Sequence, residues 1–363
     1  MCRTLQTRAR RYPAIAVVVA GLLVGHTLAH GVVEYDLIEL GNLSGGLPAS
    51  VATAINDAGV VVGYSDSAKG LRAYRWESTQ GMTELDTLSG SAGQSAALAI
   101  SDAGLVVGRS SDGERGSRAL VWTASGVGRE MSDGATPTAG HFIATGVNAA
   151  GWVVGWSRTE AGTQPFIWTE TAGLRRLERG TGEAISGMAH GINATGLIVG
   201  ARRSADGIER AFVWDPESGL RDLGALEDGL GASVAYAVNG AGTVVGSADV
   251  ATGRRAVAWY PTMRMRDLGD LEGGEDASVA FGINDAGQIV GRSSGTLGNS
   301  AFLWDPAHGL RDLNRLVDPD LGWTVREARS INRAGQIAAW GYKAGTGTRA
   351  LLLVPRSRDV PRQ

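Results

Sequence analysis

A stretch of about 45 residues is written seven times in this chain. Each copy holds four short strand-like runs, and the two chain ends match different parts of one copy. Together these predict an all-β fold: a seven-bladed β-propeller with four-stranded blades, the last closed three strands to one by the N-terminal strand.

Residues 1–29 stand outside the repeat. Arg3, Arg8, Arg10 and Arg11 make a basic start, 14–24 is apolar, and Thr27-Leu28-Ala29 offers a small residue before a cut. This is the layout of a signal peptide, and the apolar run is short for a membrane span. An uncleaved anchor is the alternative. Arg10-Arg11 carries a twin-arginine hint in poorly fitting flanks. The only cysteine, Cys2, lies in this leader, ahead of the apolar run. The expected address is therefore secreted or periplasmic, and the mature chain must be held by packing without disulfides. Removing four Arg and no acid takes the formal charge from −3 to −7. No Lys/Arg cluster remains, which argues against nucleic acid and against anionic membrane surfaces as partners.

The mature chain opens with 35–40, Tyr-Asp-Leu-Ile-Glu-Leu, which reads as the fourth strand of a blade with no other strand before it. The repeats follow. Their marker is Ile-Asn-x-Ala-Gly, with the Asn position held by Asn56, Ser101, Asn148, Asn193, Asn239, Asn284 and Asn332. The Gly three residues later never varies, from Gly59 to Gly335. A second Gly stands in six copies, from Gly63 to Gly291, with Ala339 in the seventh. Trp76, Trp122, Trp168, Trp214, Trp259 and Trp304 share one repeat position, where the seventh copy has Leu353; a shared position means packing. In the sixth copy the spacing predicts strand a over 278–283, strand b over 288–292, strand c over 300–304 and strand d over 310–313. Asn284 to Gly287 form the first turn, where left-handed backbone angles are cheap for Asn and Gly. The chain closes with 349–353, which matches strand c with no strand d after it. A ring lets the opening strand complete that blade and removes exposed sheet edges. The domains expected are thus 1–29 leader, 30–355 propeller and 356–363 polar tail.

The pattern Ala-x-x-Ile-Asn-x-x-Gly-x-x-x-Gly, then Arg-Ala-Phe-x-Trp, then Gly-Leu-x-Asp-Leu-Gly, resembles the bacterial extracellular HAF-repeat family. It is most evident over 235–246 with 210–224 and over 280–291 with 301–313, and the resemblance covers about 35–354. The resemblance implies an exported, propeller-like repeat protein; activity in the family is mostly unknown. Some members end in a sorting signal and a membrane helix, a pattern not read in the last residues here. The Trp-Asp and Gly-His marks of WD40 blades are missing as well.

Function must come from side chains, because propellers host many activities. Gly291-Arg-Ser-Ser-Gly295 spells a nucleophile-elbow string, but it falls at the end of a strand rather than on a strand-to-helix turn, so ordinary repeat sequence is the better reading. Acidic residues Glu227, Asp228, Asp270, Glu272, Glu275, Asp276, Asp318 and Asp320 fall in successive d–a loops. They could hold Ca²⁺ if the loops converged. None matches a Ca²⁺ loop, and solvated turns are the expectation. No zinc spacing joins the five His, and no cofactor is expected. Asn42-Leu-Ser44 and Asn193-Ala-Thr195 spell sequons that carry no weight behind a bacterial leader.

The sharpest candidate is the slot three residues before the Asn. Its neighbours are uniform, an Ala before it and a small residue after it, yet it holds Thr53, Leu98, Thr145, His190, Tyr236, Phe281 and Arg329. Variation inside a rigid repeat is where a specific surface can be written. His190, Tyr236, Phe281 and Arg329 lie on consecutive blades and suit a planar, sugar or carboxylate ligand. The plain alternative is gap-filling between blades. The reading of the whole is a monomeric binding or scaffold module for a cell-envelope or extracellular polysaccharide or protein. The rival is a polymer-acting hydrolase or lyase at the channel mouth, with His190, Tyr236, Arg329 or the acidic loops as its groups. A third reading is a structural spacer on the cell surface.

Overall fold

The computed structural model describes residues 34–356, apart from 89–92, 112–115, 132–139, 161, 180–182, 227–230, 263 and 296–297. The leader, Cys2, the 357–363 tail, and Glu227 and Asp228 therefore lie outside the described residues. Seven four-stranded antiparallel sheets make up the fold. Blades 1 to 6 occupy 50–84, 95–130, 141–176, 187–222, 233–269 and 278–312, each in the order a-b-c-d. The seventh takes strands a, b and c from Thr324–Ile331, Ile337–Lys343 and Gly347–Pro355, and strand d from Tyr35–Glu39. Tyr35 faces Pro355 and Glu39 faces Leu351 across that last pair, so the ring is closed by its own first strand. Arg311 of blade 6 fixes the entry by bonding both carboxylate oxygens of Glu34 at 3.0 Å.

In blade 6, strand a runs Ser278–Ile283 as the pattern predicts, whereas strands b and c run longer, Ile289–Gly295 and Gly298–Asp305. The b–c hairpin continues through pairs such as Ser294 with Asn299, whose polar side chains leave no period to read. Strand d stops at Asp312, because that side chain caps a short 3₁₀ turn over Leu313–Arg315.

The a–b turn shows why its residues recur. All seven Gly of the marker take a positive φ, for example +76° at Gly287. The Asn serves a different purpose. Its Oδ1 accepts from the backbone of its own turn, as Asn284 does from Gln288 N at 3.0 Å. Its Nδ2 donates to the carbonyl of the same residue in the next blade: Asn284 to Asn332 at 3.0 Å, and Asn332 across the closure to Asn56 at 3.0 Å. Asn56 donates to Ser101, and Asn148, Asn193 and Asn239 continue the relay. Ser101 keeps the turn bond, to Leu105 N, but has no amide to donate onward, so the relay lacks its step from blade 2 to blade 3.

A second set of stitches lies at the other end of strand a. Ser50, Ser95, Ser233 and Ser278 each accept from strand c of the preceding blade; Ser50 reaches Ala350 N at 3.0 Å across the closure. The repeated Arg before strand c's Ala reaches the d–a loop of the next blade, as Arg72 does to Gly93 O and Arg349 to Pro48 O. The Trp residues pack between blades: Trp76, Trp122, Trp168, Trp259 and Trp304 are buried, and Leu353 fills the place in blade 7.

Ser101→Asn is expected to complete the relay and raise stability by about 1 kcal/mol, read as a rise of roughly 2 °C in Tm. Asn284→Ala strands a buried carbonyl and a turn N–H, and is expected to cost about 2–4 kcal/mol in urea unfolding.

Candidate functional site

Strand a is the inner edge of every blade. Its last apolar residue, Ile55 in blade 1 and its six counterparts through Ile331, lines one mouth of the axial channel together with the Asn turns. The opening there is about 320 Å³. Asp57, Asp102 and Asp285 stand on this rim, but their carboxylates already accept backbone N–H groups of Arg333, Asp57 and Gly240.

The slot three residues before the Asn is a β-bulge in all seven blades. Ala280 pairs with Gly291 and Gly282 with Val290, which leaves Phe281 unopposed; the same slip occurs at Thr53, Leu98, Thr145, His190, Tyr236 and Arg329. A bulge re-aims one side chain out of the regular pleat. It also explains the uniform neighbours. A Cβ on Gly291 would lie 2.0 Å from the Val279 carbonyl, and one on Gly282 would lie 2.9 Å from the Arg329 carbonyl. The preceding Ala is fully buried in every blade. Everything around the slot is constrained, and the slot side chain is free to vary.

The slot residues divide into two arcs. In blades 1 and 3, Thr53 and Thr145 hydrogen-bond the next blade, to Ala97 O at 2.9 Å and Ala189 O at 2.8 Å, and so act as stitches. In blades 4 to 7 the side chains form a continuous row. The rings of His190 and Tyr236 lie 5.3 Å apart, and those of Tyr236 and Phe281 lie 5.4 Å apart, edge to face. The Arg329 guanidinium sits 4.8 Å from the Phe281 centroid. His190, Tyr236 and Phe281 are half-buried and Arg329 is exposed.

Two groups join this row that the slot pattern does not include. Arg292, on strand b of blade 6, lies 5.8 Å from the Phe281 centroid. Glu327 is only 2% exposed and bonds Arg292 through Oε2 at 3.2 Å, while Arg329 Nε bonds its Oε1. Trp340 Nε1–H donates to Oε1 as well, at 3.3 Å. A sequence signal for Glu327 exists: the place five before the Asn holds Val51, Ala96, Ile143, Met188, Val234 and Val279, and a carboxylate only in blade 7.

Confinement sets the titration of the row. Loss of water holds the His190 imidazole down at about 4. Burial raises the Tyr236 phenol; Arg254, Arg292 and Arg329 oppose that rise and Glu209 adds to it. Both groups are therefore neutral at ordinary pH.

Several other sequence candidates are engaged elsewhere. Ser293 of the elbow-like string is buried in strand b, where Oγ accepts from Leu271 N at 2.9 Å. Asp270 and Asp276 are bridged by Arg255 at 3.0 and 2.6 Å, and Asp318 caps the 3₁₀ turn Pro319–Leu321. Among the described residues no three His, Cys, Asp or Glu side chains form a metal-binding group. His141 accepts from Ser117 N and His308 bonds Asp305. Asn193 of the second sequon is buried with its amide in the relay.

No family model matches this chain, and no curated protein matches it. Solved structures do resemble it. A streptogramin B lyase has a TM-score of 0.56 at 10% identity, over 89% of this chain and 98% of that one. A catalytically inactive variant of virginiamycin B lyase from Staphylococcus aureus, solved with quinupristin, has a TM-score of 0.53 at 12% identity, over 89% and 100%. A puromycin hydrolase mutant complexed with PGG has a TM-score of 0.53 at 12% identity, over 81% of this chain and 50% of that one. These likenesses show the seven-bladed propeller fold and nothing finer.

An unfolded His takes its proton near 6.5 and His190 only near 4, so acidification through that window favours the unfolded chain. Stability is expected to fall as pH drops from 6.5 to 4, and His190→Gln is expected to flatten that part of the profile in urea titrations at half-unit steps.

Proposed function

We propose that this is an exported propeller, related to the HAF-repeat proteins, that binds an envelope or extracellular ligand along the inner strands of blades 4 to 7. The single observation that carries the reading is the row His190–Tyr236–Phe281–Arg329. Four side chains that differ in chemistry touch in sequence across four blades, at a position the repeat leaves free. Aromatic rings held rigidly by a scaffold give contact area at small entropic cost. An extended ligand spanning consecutive blades, a polysaccharide before a protein segment, fits a row rather than a point.

The polymer-acting hydrolase or lyase is less well supported. A general base works best with a pKa near the working pH, whereas the His190 imidazole at about 4 is a weak base and the Tyr236 phenol is raised. The side chain of Glu327 is buried and engaged by two guanidiniums.

The test is binding of the purified full chain to immobilised envelope polysaccharides, with envelope proteins as a second panel. Tyr236→Ala and Phe281→Ala are each expected to weaken capture by at least about tenfold, in the range of interface anchors. Leu98→Ala, on the opposite arc, is expected to leave capture unchanged. Equal loss in all three variants, or capture untouched by the first two, removes the row from the binding surface. Silence on both panels favours the spacer.

A further inference from the structure

Blades 6 and 7 place two guanidiniums against one buried carboxylate and one aromatic face. Arg292 and Arg329 come from different strands of different blades, yet both engage Glu327, one at each oxygen, and both stand over the Phe281 ring. Drawing two like charges together is unfavourable unless something holds them. Here a 2%-exposed carboxylate holds an edge of each, and the ring lies beneath both. Trp340 fixes the carboxylate in turn. The cluster keeps one uncompensated positive charge. Each Arg side chain is still 41% exposed, and a guanidinium has five N–H donors, of which Glu327 occupies a minority. Among the described residues no other acceptor bonds the remaining N–H groups of either Arg. Other charges near the row do not cancel this: Arg254 is paired with Asp249 at 2.7 Å, and Glu209 is exposed on blade 4.

We propose that Arg292 and Arg329 form a preorganised fork for a carboxylate, and that the ligand of the row is an acidic glycan whose uronate group docks there. The proposal rests on the row being a binding surface, and it adds the chemistry of the ligand. Planar, parallel N–H pairs match a carboxylate in a way a point charge does not. Tyr236 and His190, next along the row, supply ring faces and edges for the neighbouring sugars. Glu327 is a positioning residue: it aims the fork and does not itself meet the ligand.

Calorimetric titration of the full chain with trigalacturonate, its methyl ester and sodium sulfate, at 20 and 200 mM salt, tests this. Trigalacturonate is expected to bind at least about tenfold more tightly than the ester, and salt to weaken the acid more than the ester. Arg329→Gln and Arg292→Gln are expected to bring the acid down to the ester's affinity. Each leaves the buried Glu327 with the other guanidinium and Trp340, so Tm is expected to fall while ester binding is retained, which shows the variants folded. Glu327→Gln separates aim from charge: it adds positive charge, so a purely electrostatic field would tighten acid binding, whereas loss of aim weakens it, which is the expected result. Equal affinity for acid and ester, or acid binding indifferent to both Arg variants, overturns the fork. If the ester's binding is then lost in Tyr236→Ala, the row stands as a neutral surface and only the fork falls. If neither oligomer binds while Tyr236→Ala still reduces capture of another polysaccharide, the acidic-glycan assignment is overturned. Sulfate binding as tightly as trigalacturonate, in an Arg329-dependent way, overturns it also.

Discussion

Seven strands converge on one axis, and each brings the polar backbone of a turn to a crowded place where the Asn side chains are buried. The Asn relay is what makes this convergence tolerable. One side chain satisfies the turn it belongs to through its carbonyl and the next blade's turn through its amide. Apolar residues would leave both groups stranded, and a buried polar group without a partner is costly. Blade spacing, the close approach of neighbouring inner strands and the small residues beside each bulge all follow from this contact. The single Ser in the ring leaves the seam between blades 2 and 3 without the amide step; there the Ser117 N–H donates to His141 Nδ1 and Arg129 pairs with Glu170.

The bulge leaves one side chain per blade outside that constraint. Gly291 and Gly282 have no room for a Cβ, and the Ala before each bulge is fully buried, whereas the slot side chain between them differs from blade to blade. Two Thr use it to strengthen the ring, and four other residues build a surface with it. The same backbone device thus carries inter-blade hydrogen bonds on one arc and a row of rings and a guanidinium on the other.

Blade number, the three-plus-one closure and the strand a boundaries were legible because they rest on exact spacing. Tyr35 pairing with Pro355 is a consequence of the two ends matching strands d and c of one unit. The outer hairpins were less legible, since Ser294 and Asn299 pair without a hydrophobic period. The slot was visible as variation in a uniform column, but its being a bulge was not, because a bulge is a relation between two strands. Backbone freedom in the turn accounts for the Gly, whereas the Asn is accounted for by its amide, whose inter-blade bond leaves no trace in the spacing. Glu327 is a single carboxylate in an otherwise apolar column, a departure that spacing alone does not connect to the slot two residues on. Arg292 had no marking in its own column, where Tyr64, Arg109, Trp156 and Trp340 are also large.

The last sheet joins strands more than three hundred positions apart along the polymer. Every other sheet is assembled from neighbours and can condense as a local event, but this one must wait for a loop that contains six finished units. Until then the arc carries two unpaired edges, Tyr35–Glu39 with no partner and Gly347–Pro355 with an open flank. The latch that gives the finished ring its permanence is therefore also the interval in which two half-built copies could lend each other a strand.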